Sequence, residues 1–181
     1  IEYTIIKLND NEPINIEKII NKLDEDKKIT SVICVHIELN GIMNNIQDLG
    51  NRINKIYPNI IYIVDCITSL GSQLIDIESS KIHFLVSSSN KSIESLSGLS
   101  IVICKRDKLL KARWSKSLSL DLLSHWNSLI TFGKFRFSPP VHVILGLKYS
   151  LKKLHYEGGV NKRLLKYEII QKKISNNFKL Y

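Results

Sequence analysis

Apolar residues recur along the chain with two spacings, one typical of helices and one typical of buried strands. Helical spacing predicts one helix after Pro13, over residues 16–23, and another over residues 46–56 that ends before Pro58. Near-continuous apolar runs predict strands at residues 1–8, 30–37, 60–66, 82–86 and 99–104. The last two runs contain no polar alternation, so we expect both of those strands to be buried rather than half-exposed.

The rest of the chain, from Lys105 onward, has a helical character. A loop-rich stretch spans residues 132–140, and two long helices are predicted to begin near Val141 and Val160, separated by Gly158-Gly159. Strands that alternate with helices predict an α/β fold in which helices flank a mostly parallel central sheet.

Polar residues follow three of the predicted strands at the point where each strand ends. His36 and Glu38 close the second strand, Asp65 closes the third, and Lys91 follows the fourth. Ligands gather at the carboxyl ends of strands in open α/β sheets, because the loops converge there. The sequence therefore predicts a ligand site that includes these residues.

A lysine and an acid at such a sheet edge are typical of a coenzyme site. A lysine that forms a Schiff base needs a neutral amine, so burial or a nearby cation must lower its pKa. An aspartate that faces a pyridinium nitrogen keeps that nitrogen protonated. The alternative is that Lys91 is a surface loop residue and Asp65 caps the turn at residues 68–71. Spacing alone leaves both interpretations open, and His36 alone is more typical of a core histidine.

Composition sets further bounds on the protein. With 181 residues and 44% hydrophobic content, the chain can bury the core of a single domain. We expect no secretory signal at the start and no membrane span. Cys34, Cys66 and Cys104 lack metal-binding spacing and are odd in number, which predicts buried, reduced thiols, a cytoplasmic location and no metal site.

Charge is unevenly distributed along the chain. Residues 1–104 contain 9 Lys and Arg against 13 Asp and Glu, whereas residues 105–181 contain 17 against 4. A basic half can bind nucleic acid, but no reading helix or aromatic-interleaved strand motif is present. Solvated helix faces explain the excess more simply, and we expect neither a nucleic acid nor a membrane partner.

Four motifs occur in an order that is characteristic of one family. They are VDCITSLG at residues 64–71, SSSNKSIESLSG at 87–98, SLSLDLLSHW at 117–126 and GKFRFSPPVH at 133–142. In this order they resemble the class V aminotransferases, which depend on pyridoxal 5'-phosphate. The resemblance covers nearly the whole chain and implies part of the large domain of a fold-type I PLP-dependent transferase.

The resemblance also implies roles for individual residues. Lys91, after Asn90, matches the lysine that forms the Schiff base with the cofactor. Asp65 matches the acid on the pyridine nitrogen, and Ser138 matches a hydroxyl that reaches the cofactor phosphate of a neighbouring subunit, which implies a homodimer with shared sites. Glu38 matches a cofactor-site glutamate, but the family follows it with threonines and a glycine, whereas this chain reads Glu38-Leu39-Asn40-Gly41.

The matched region implies the second half, residues 1–181, of the PLP-binding large domain. The family's phosphate-binding loop and stacking ring would precede this region, and its small C-terminal domain with a substrate-binding arginine would follow, so we expect these parts to be absent from the chain.

The SLSLDL stretch and the EGGV at residues 157–160 resemble the branch that transfers the amino group of 2-aminoethylphosphonate to pyruvate, giving phosphonoacetaldehyde and alanine. The alternatives are a transaminase of the alanine:glyoxylate type and a truncated, non-catalytic relative that keeps the fold. The implied partners are a small amine donor and a 2-oxo acid.

Overall fold

A computed structural model describes residues 2–9, 11–113 and 115–178. The described residues form four strands, β1 Ser31–Val35, β2 Ile61–Asp65, β3 Phe84–Ser88 and β4 Ser100–Cys104. Their helices are α1 Ile16–Glu25, α2 Ile46–Ile56, α3 Arg106–Leu110, α4 Leu122–Phe132, α5 Val141–Tyr156 and α6 Gly159–Phe178. The strands make one sheet in the order β1-β2-β3-β4. The β1-β2 and β2-β3 pairs are parallel and the β3-β4 pair is antiparallel, which confirms the mostly parallel α/β sheet.

Helices α1 and α2 begin where asparagine side chains satisfy their free backbone amides. The Oδ1 of Asn15 accepts a hydrogen bond from the Lys18 amide, and that of Asn45 accepts one from the Asp48 amide, each at 3.0 Å. Both helices pack apolar faces against one face of the sheet. The helices and the sheet together form the core, which contains Ile19, Ile20, Leu23, Ile46, Leu49, Ile53, Tyr62, Val64 and Leu85.

The strand predicted over residues 1–8 is wrong: residues 2–8 are irregular, and Ile1 lies outside the described residues. A strand exists only where a neighbouring strand completes its hydrogen-bond ladder, and residues 2–8 pair with none in the described parts of the chain. Ile6 packs against the core, while Tyr3 and Ile5 remain exposed. Of these three apolar residues in the segment, Ile6 alone therefore contributes to the core.

Two further expectations need correction. β3 begins at Phe84 rather than at Ile82, because Ile82 is buried in the core without pairing, and the ladder instead continues through two serines to Ser88. β4 is not buried on both faces, and Ile103 is substantially exposed. Burial of both faces is characteristic of parallel central strands, whereas β4 pairs antiparallel at one edge of the described sheet.

The second half of the chain is helical, as predicted. α5 begins at Val141, and α6 begins at Gly159, one residue earlier than expected. Gly158 and Gly159 both have positive φ, at 94° and 80°, and form the turn between the two helices. Within the described ranges, no helix has the combination of length and apolar character needed to cross a bilayer.

Candidate active site

The first three strands end in one row at the carboxyl edge of the sheet. Val35 pairs with Asp65, and Asp65 pairs with Val86. Beyond this row, the His36 amide donates a hydrogen bond to the Asp65 carbonyl at 2.8 Å, and the Cys66 amide donates one to the Val86 carbonyl at 2.7 Å. The loops that carry the predicted site residues therefore leave the sheet side by side.

Asp65 is the last residue of β2, and its side chain lies on the less buried face of the sheet. Its neighbours Val64 and Cys66 point to the opposite face and are completely buried. One carboxylate oxygen of Asp65 accepts a hydrogen bond from the Ile67 amide at 2.8 Å. A carboxylate has about four acceptor positions, so this bond orients Asp65 and leaves capacity for a further donor.

Lys91 lies three residues after β3, in a tight turn, and is exposed. The Glu94 amide donates a hydrogen bond to the Lys91 carbonyl at 2.8 Å, and the Ser95 amide donates one to the Ser89 carbonyl at 3.0 Å. Glu94 has a left-handed backbone with φ of 60°, which is uncommon for a residue with a side chain. The main chain around Lys91 is therefore held in one specific turn.

Ser92 connects the Lys91 turn to the loop after Asp65, and sequence reasoning missed it. Its Oγ donates a hydrogen bond to the Thr68 carbonyl at 2.6 Å and accepts one from the Ser72 hydroxyl at 3.0 Å. Gly71, with φ of 101°, lies so close that an added Cβ would be 3.1 Å from the Ser92 carbonyl oxygen. The only signal for Ser92 in the sequence is its position directly after Lys91.

His36 lies at the same edge but points into the protein interior. It is 5% exposed, and its Nδ1 is 3.0 Å from the Ser69 hydroxyl. Burial lowers the pKa of His36. These contacts correspond to a core histidine whose polar atom is satisfied.

The remaining predicted site residues are Glu38, Asn90 and Ser138. Glu38 accepts a hydrogen bond from the Asn44 amide group at 3.1 Å, and Asn90 is exposed beside Lys91. Ser138 is exposed in the segment before α5. Within the described residues, no hydrogen bond or ion pair joins Ser138 to Asp65 or to Lys91. The single chain therefore places Asp65 beside the strand that leads to Lys91, and among the described residues Ser138 is bonded to neither.

Ser88, the last residue of β3, provides a further polar group at this edge. Its Oγ is buried and has no hydrogen-bond partner among residues 2–9, 11–113 and 115–178. A buried hydroxyl without a partner costs free energy, and protein atoms cover this oxygen, so a ligand does not reach it in this conformation. The acceptor capacity of Asp65 is therefore the feature of this edge that suits a ring with a protonated nitrogen.

The cysteines do not contribute nucleophiles to this edge. Cys34 and Cys66 are buried and free, as predicted, whereas Cys104 is only partly buried. Burial raises the pKa of the Cys34 thiol to about 11 and that of the Cys66 thiol to about 12. Both thiols are therefore protonated and unreactive near neutral pH.

Comparison with known proteins relates this arrangement to one family. The sequence is 38% identical over 182 residues to the 2-aminoethylphosphonate--pyruvate transaminase of Bacillus cereus (strain Q1), covering 99% of this chain and 49% of that protein. It is also 38% identical to the bifunctional phosphonoacetaldehyde hydrolase/aminoethylphosphonate transaminase of Clostridioides difficile (strain 630), covering 99% of this chain and 28% of that protein. The chain thus spans about half or less of the length of these relatives.

The fold gives a consistent result. The crystal structure of pyridoxamine-pyruvate aminotransferase from Mesorhizobium loti superposes with a TM-score of 0.75 at 24% identity, covering 88% of this chain and 41% of that one. The family described as aminotransferase class-V matches residues 1–175. This chain therefore belongs to the class V aminotransferase family.

Proposed function

We propose that the chain is the second half of the cofactor-binding large domain of a PLP-dependent transaminase. The proposed reaction moves the amino group of 2-aminoethylphosphonate to pyruvate and yields phosphonoacetaldehyde and alanine. The observation that carries the proposal is the pairing of Asp65 with Val86, which sets the acid beside the strand that leads to Lys91. Relatives named for this reaction, at 38% identity across nearly all of this chain, support the choice of substrates.

Residues at the edge fit pyridoxal 5'-phosphate. Asp65 retains acceptor capacity for a protonated ring nitrogen. When bound, this cofactor withdraws electrons from a substrate carbon that loses a proton. Asp65 would supply the negative charge that keeps the ring nitrogen protonated.

Lys91 would anchor the cofactor covalently through its Nζ and later move the proton at the substrate carbon. Its turn has a fixed backbone, whereas its side chain is exposed, so the described residues do not provide the burial expected around a Schiff-base lysine. Asn90 and Glu38 are proposed as further cofactor contacts because they adjoin the same loops. The excess of basic residues after position 104 is compatible with an anionic cofactor and an anionic phosphonate.

We further propose a cytoplasmic homodimer with shared active sites. Ser138 is exposed and has no bond to Asp65 or Lys91 within the described residues, which suits a hydroxyl that serves the partner's cofactor phosphate. The free, protonated thiols of Cys34 and Cys66 favour a reducing compartment.

Covalent trapping tests the proposal directly. The protein, with whatever flanking sequence its gene encodes, is mixed with pyridoxal phosphate, reduced with borohydride and analysed by peptide mass spectrometry. We expect the cofactor mass on the peptide that contains Lys91, and its loss in Lys91→Ala and Lys91→Arg. Lys55→Ala, which removes an exposed lysine of α2, is the matched control and should be labelled like the wild type.

Activity measurements with different amino donors then distinguish the proposed substrates from the alternatives. We expect alanine to form from pyruvate when 2-aminoethylphosphonate is the donor. Turnover of alanine with glyoxylate in place of that pair would identify the alanine:glyoxylate type instead. Absence of trapped cofactor on the complete gene product would indicate a non-catalytic relative.

A further inference from the structure

Arg163 is a cation in the interior of the helical half. It is 1% exposed, although it lies in α6, where most residues face solvent. Its Nε and Nη2 donate hydrogen bonds to one carboxylate oxygen of Glu157, at 2.9 and 2.7 Å. Its Nη1 donates a hydrogen bond to the main-chain carbonyl of Ser92 at 2.8 Å. A residue of α6 therefore holds the backbone immediately after Lys91.

Glu94 joins the same cluster from the other side of the turn. Its carboxylate accepts hydrogen bonds from Lys153 at 2.8 Å and from the Tyr167 hydroxyl at 2.7 Å, and it lies 3.8 Å from Arg163. Its main-chain carbonyl accepts a hydrogen bond from the Ser150 hydroxyl at 3.0 Å. Residues of α5 and α6 thus hold Glu94 in its left-handed conformation.

Because Arg163 is buried, the cluster is stable only when its hydrogen-bond geometry is kept. An arginine removed from water is tolerated only when its donors are paired, so Arg163 needs both the Glu157 carboxylate and the Ser92 carbonyl in place. Displacement of the turn would leave the buried Nη1 without its acceptor. The free energy that keeps Arg163 satisfied therefore also keeps the turn in position.

We propose that Arg163, Glu157 and Glu94 are positioning residues that fix the turn carrying Lys91 through its backbone. For Lys91 as the cofactor-anchoring residue, the inference rests on the proposed function. Lys91 has no ion pair within the described residues, so the backbone of its turn determines where its amine can reach. The cluster would thus couple the packing of α5 and α6 to the reactivity of Lys91.

A tie between α5 and α6 alone would be a simpler role for this cluster. Glu157 directly follows the last residue of α5 and Arg163 lies in α6, so their ion pair does span the Gly158-Gly159 turn. That role needs only the bonds from Nε and Nη2. The bond from Nη1 to Ser92, and the bonds from Lys153 and Tyr167 to Glu94, act on the Lys91 turn instead.

Hydrogen exchange of the cofactor-free protein tests the positioning. The Glu94 and Ser95 amides close the turn, and their exchange reports its opening. We expect Arg163→Met to speed exchange at these two amides by about tenfold or more, with β2 amides unchanged, because a charge-assisted hydrogen bond is lost. Arg163→Lys keeps a cation for Glu157 and should give a smaller increase. Arg52→Met, which removes a partly exposed arginine from its ion pair with Glu17, is the matched control and should leave the turn unchanged.

Milder variants keep the test decisive if Arg163→Met does not fold. Tyr167→Phe and Glu94→Gln each remove a contact with the turn while preserving size, and we expect a severalfold increase in exchange at the same amides. Unchanged exchange in every folded variant would overturn the inference. So would an increase of equal size in β2, because it would indicate a global effect.

Trapping on Lys91 at subsaturating pyridoxal phosphate gives the second measurement. We expect the trapped fraction to fall severalfold in Arg163→Met, to recover partly in Arg163→Lys and to stay at the wild-type level in Arg52→Met. A wild-type trapped fraction in a variant whose turn opens faster would overturn the link to Lys91. If the wild-type protein traps no cofactor, the proposed function fails, whereas the exchange results still decide whether Arg163 holds the turn.

Discussion

The Nδ1 of His36 and the hydroxyl of Ser69 lie 3.0 Å apart inside the protein, directly behind the row of strand ends. Ser69 belongs to the loop that follows Asp65, and His36 directly follows β1. Their hydrogen bond therefore holds the Asp65 loop against the neighbouring strand. It also places a titratable ring beneath the candidate site.

Stability should fall at mildly acidic pH because of His36. Burial holds its pKa in the folded protein below the usual histidine value of 6.5. The unfolded chain therefore binds more protons, so the free energy of unfolding decreases as pH falls through about 6.5 and below. His83 is shifted in the same direction, so the wild type alone does not isolate His36.

The variant His36→Asn separates the two histidines. Its amide can bond to the Ser69 hydroxyl but does not titrate in this range. Urea unfolding between pH 5 and pH 7.5 should show a smaller loss of stability on acidification for the variant than for the wild type. Identical pH dependence would contradict a buried, neutral His36.

Gly71 should resist substitution more strongly than a glycine in an open turn. An alanine there would adopt a φ of 101° and bring its Cβ within 3.1 Å of the Ser92 carbonyl oxygen and the Ile93 side chain. We expect Gly71→Ala to lower the free energy of unfolding by about 2 to 3 kcal/mol and to reduce cofactor trapping on Lys91.

Gly133→Ala provides the matched control, because this glycine also has a positive φ but no atom within 4 Å of an added Cβ. Its cost should be about 1 kcal/mol, from the left-handed backbone alone. Chemical denaturation of both variants measures the difference. Equal losses would mean that the approach of Gly71 to Ser92 has no energetic importance.

The sheet was largely predictable from the sequence because each of its strands lies in a short apolar run. The end of β3 was harder to predict: its last two residues are serines, and they continue the pairing with β4 beyond the apolar run. Residues 2–8 show the reverse, an apolar run for which no pairing strand lies in the described chain. An apolar run therefore becomes a strand only when a neighbouring strand is available, and in residues 2–8 even burial is incomplete, since Tyr3 and Ile5 are exposed.

The candidate site was predictable in part, for a similar reason. Asp65 and Lys91 follow apolar runs, so their position at strand ends is visible in the sequence. Ser92 and Arg163 have no such signal, because their importance depends on a bond between residues 71 positions apart. Arg163 is one of 17 basic residues in the second half, and nothing in its neighbourhood marks it as the buried one.

Asp65→Asn should affect cofactor binding far more than folding. The new side chain can still accept the Ile67 amide hydrogen bond, so we expect the free energy of unfolding to change by less than about 1 kcal/mol. Loss of the negative charge should weaken cofactor binding about tenfold or more, measured as trapping on Lys91 against pyridoxal phosphate concentration. Asp76→Asn alters an exposed aspartate that caps the Ser79 amide and should leave trapping unchanged. Equal trapping in wild type and Asp65→Asn would remove Asp65 from the proposed site.

Glu94 should contribute to stability at neutral pH and lose this contribution in acid. Hydrogen bonds from Lys153 and Tyr167 lower its pKa to about 2, from the usual glutamate value of 4.5. The folded state therefore binds fewer protons, and the stabilisation present above about pH 4.5 disappears as pH falls toward 2. Because Lys153 is 57% exposed, solvent screening reduces its share, and we expect Glu94→Gln to cost about 1 to 2 kcal/mol at pH 7.

Urea unfolding at pH 7 and pH 3 gives the measurement for Glu94→Gln. The difference in free energy of unfolding between the variant and the wild type should be clearly smaller at pH 3 than at pH 7. At pH 3 the carboxylate binds a proton more readily in the unfolded chain than in the folded protein, and its stabilising contribution is therefore reduced. Glu25→Gln removes the acid of an exposed ion pair with Lys22 in α1 and should cost less than about 0.5 kcal/mol at either pH. A pH-independent loss in Glu94→Gln would mean that the hydrogen bonds accepted by this side chain, rather than its charge, hold the turn behind Lys91.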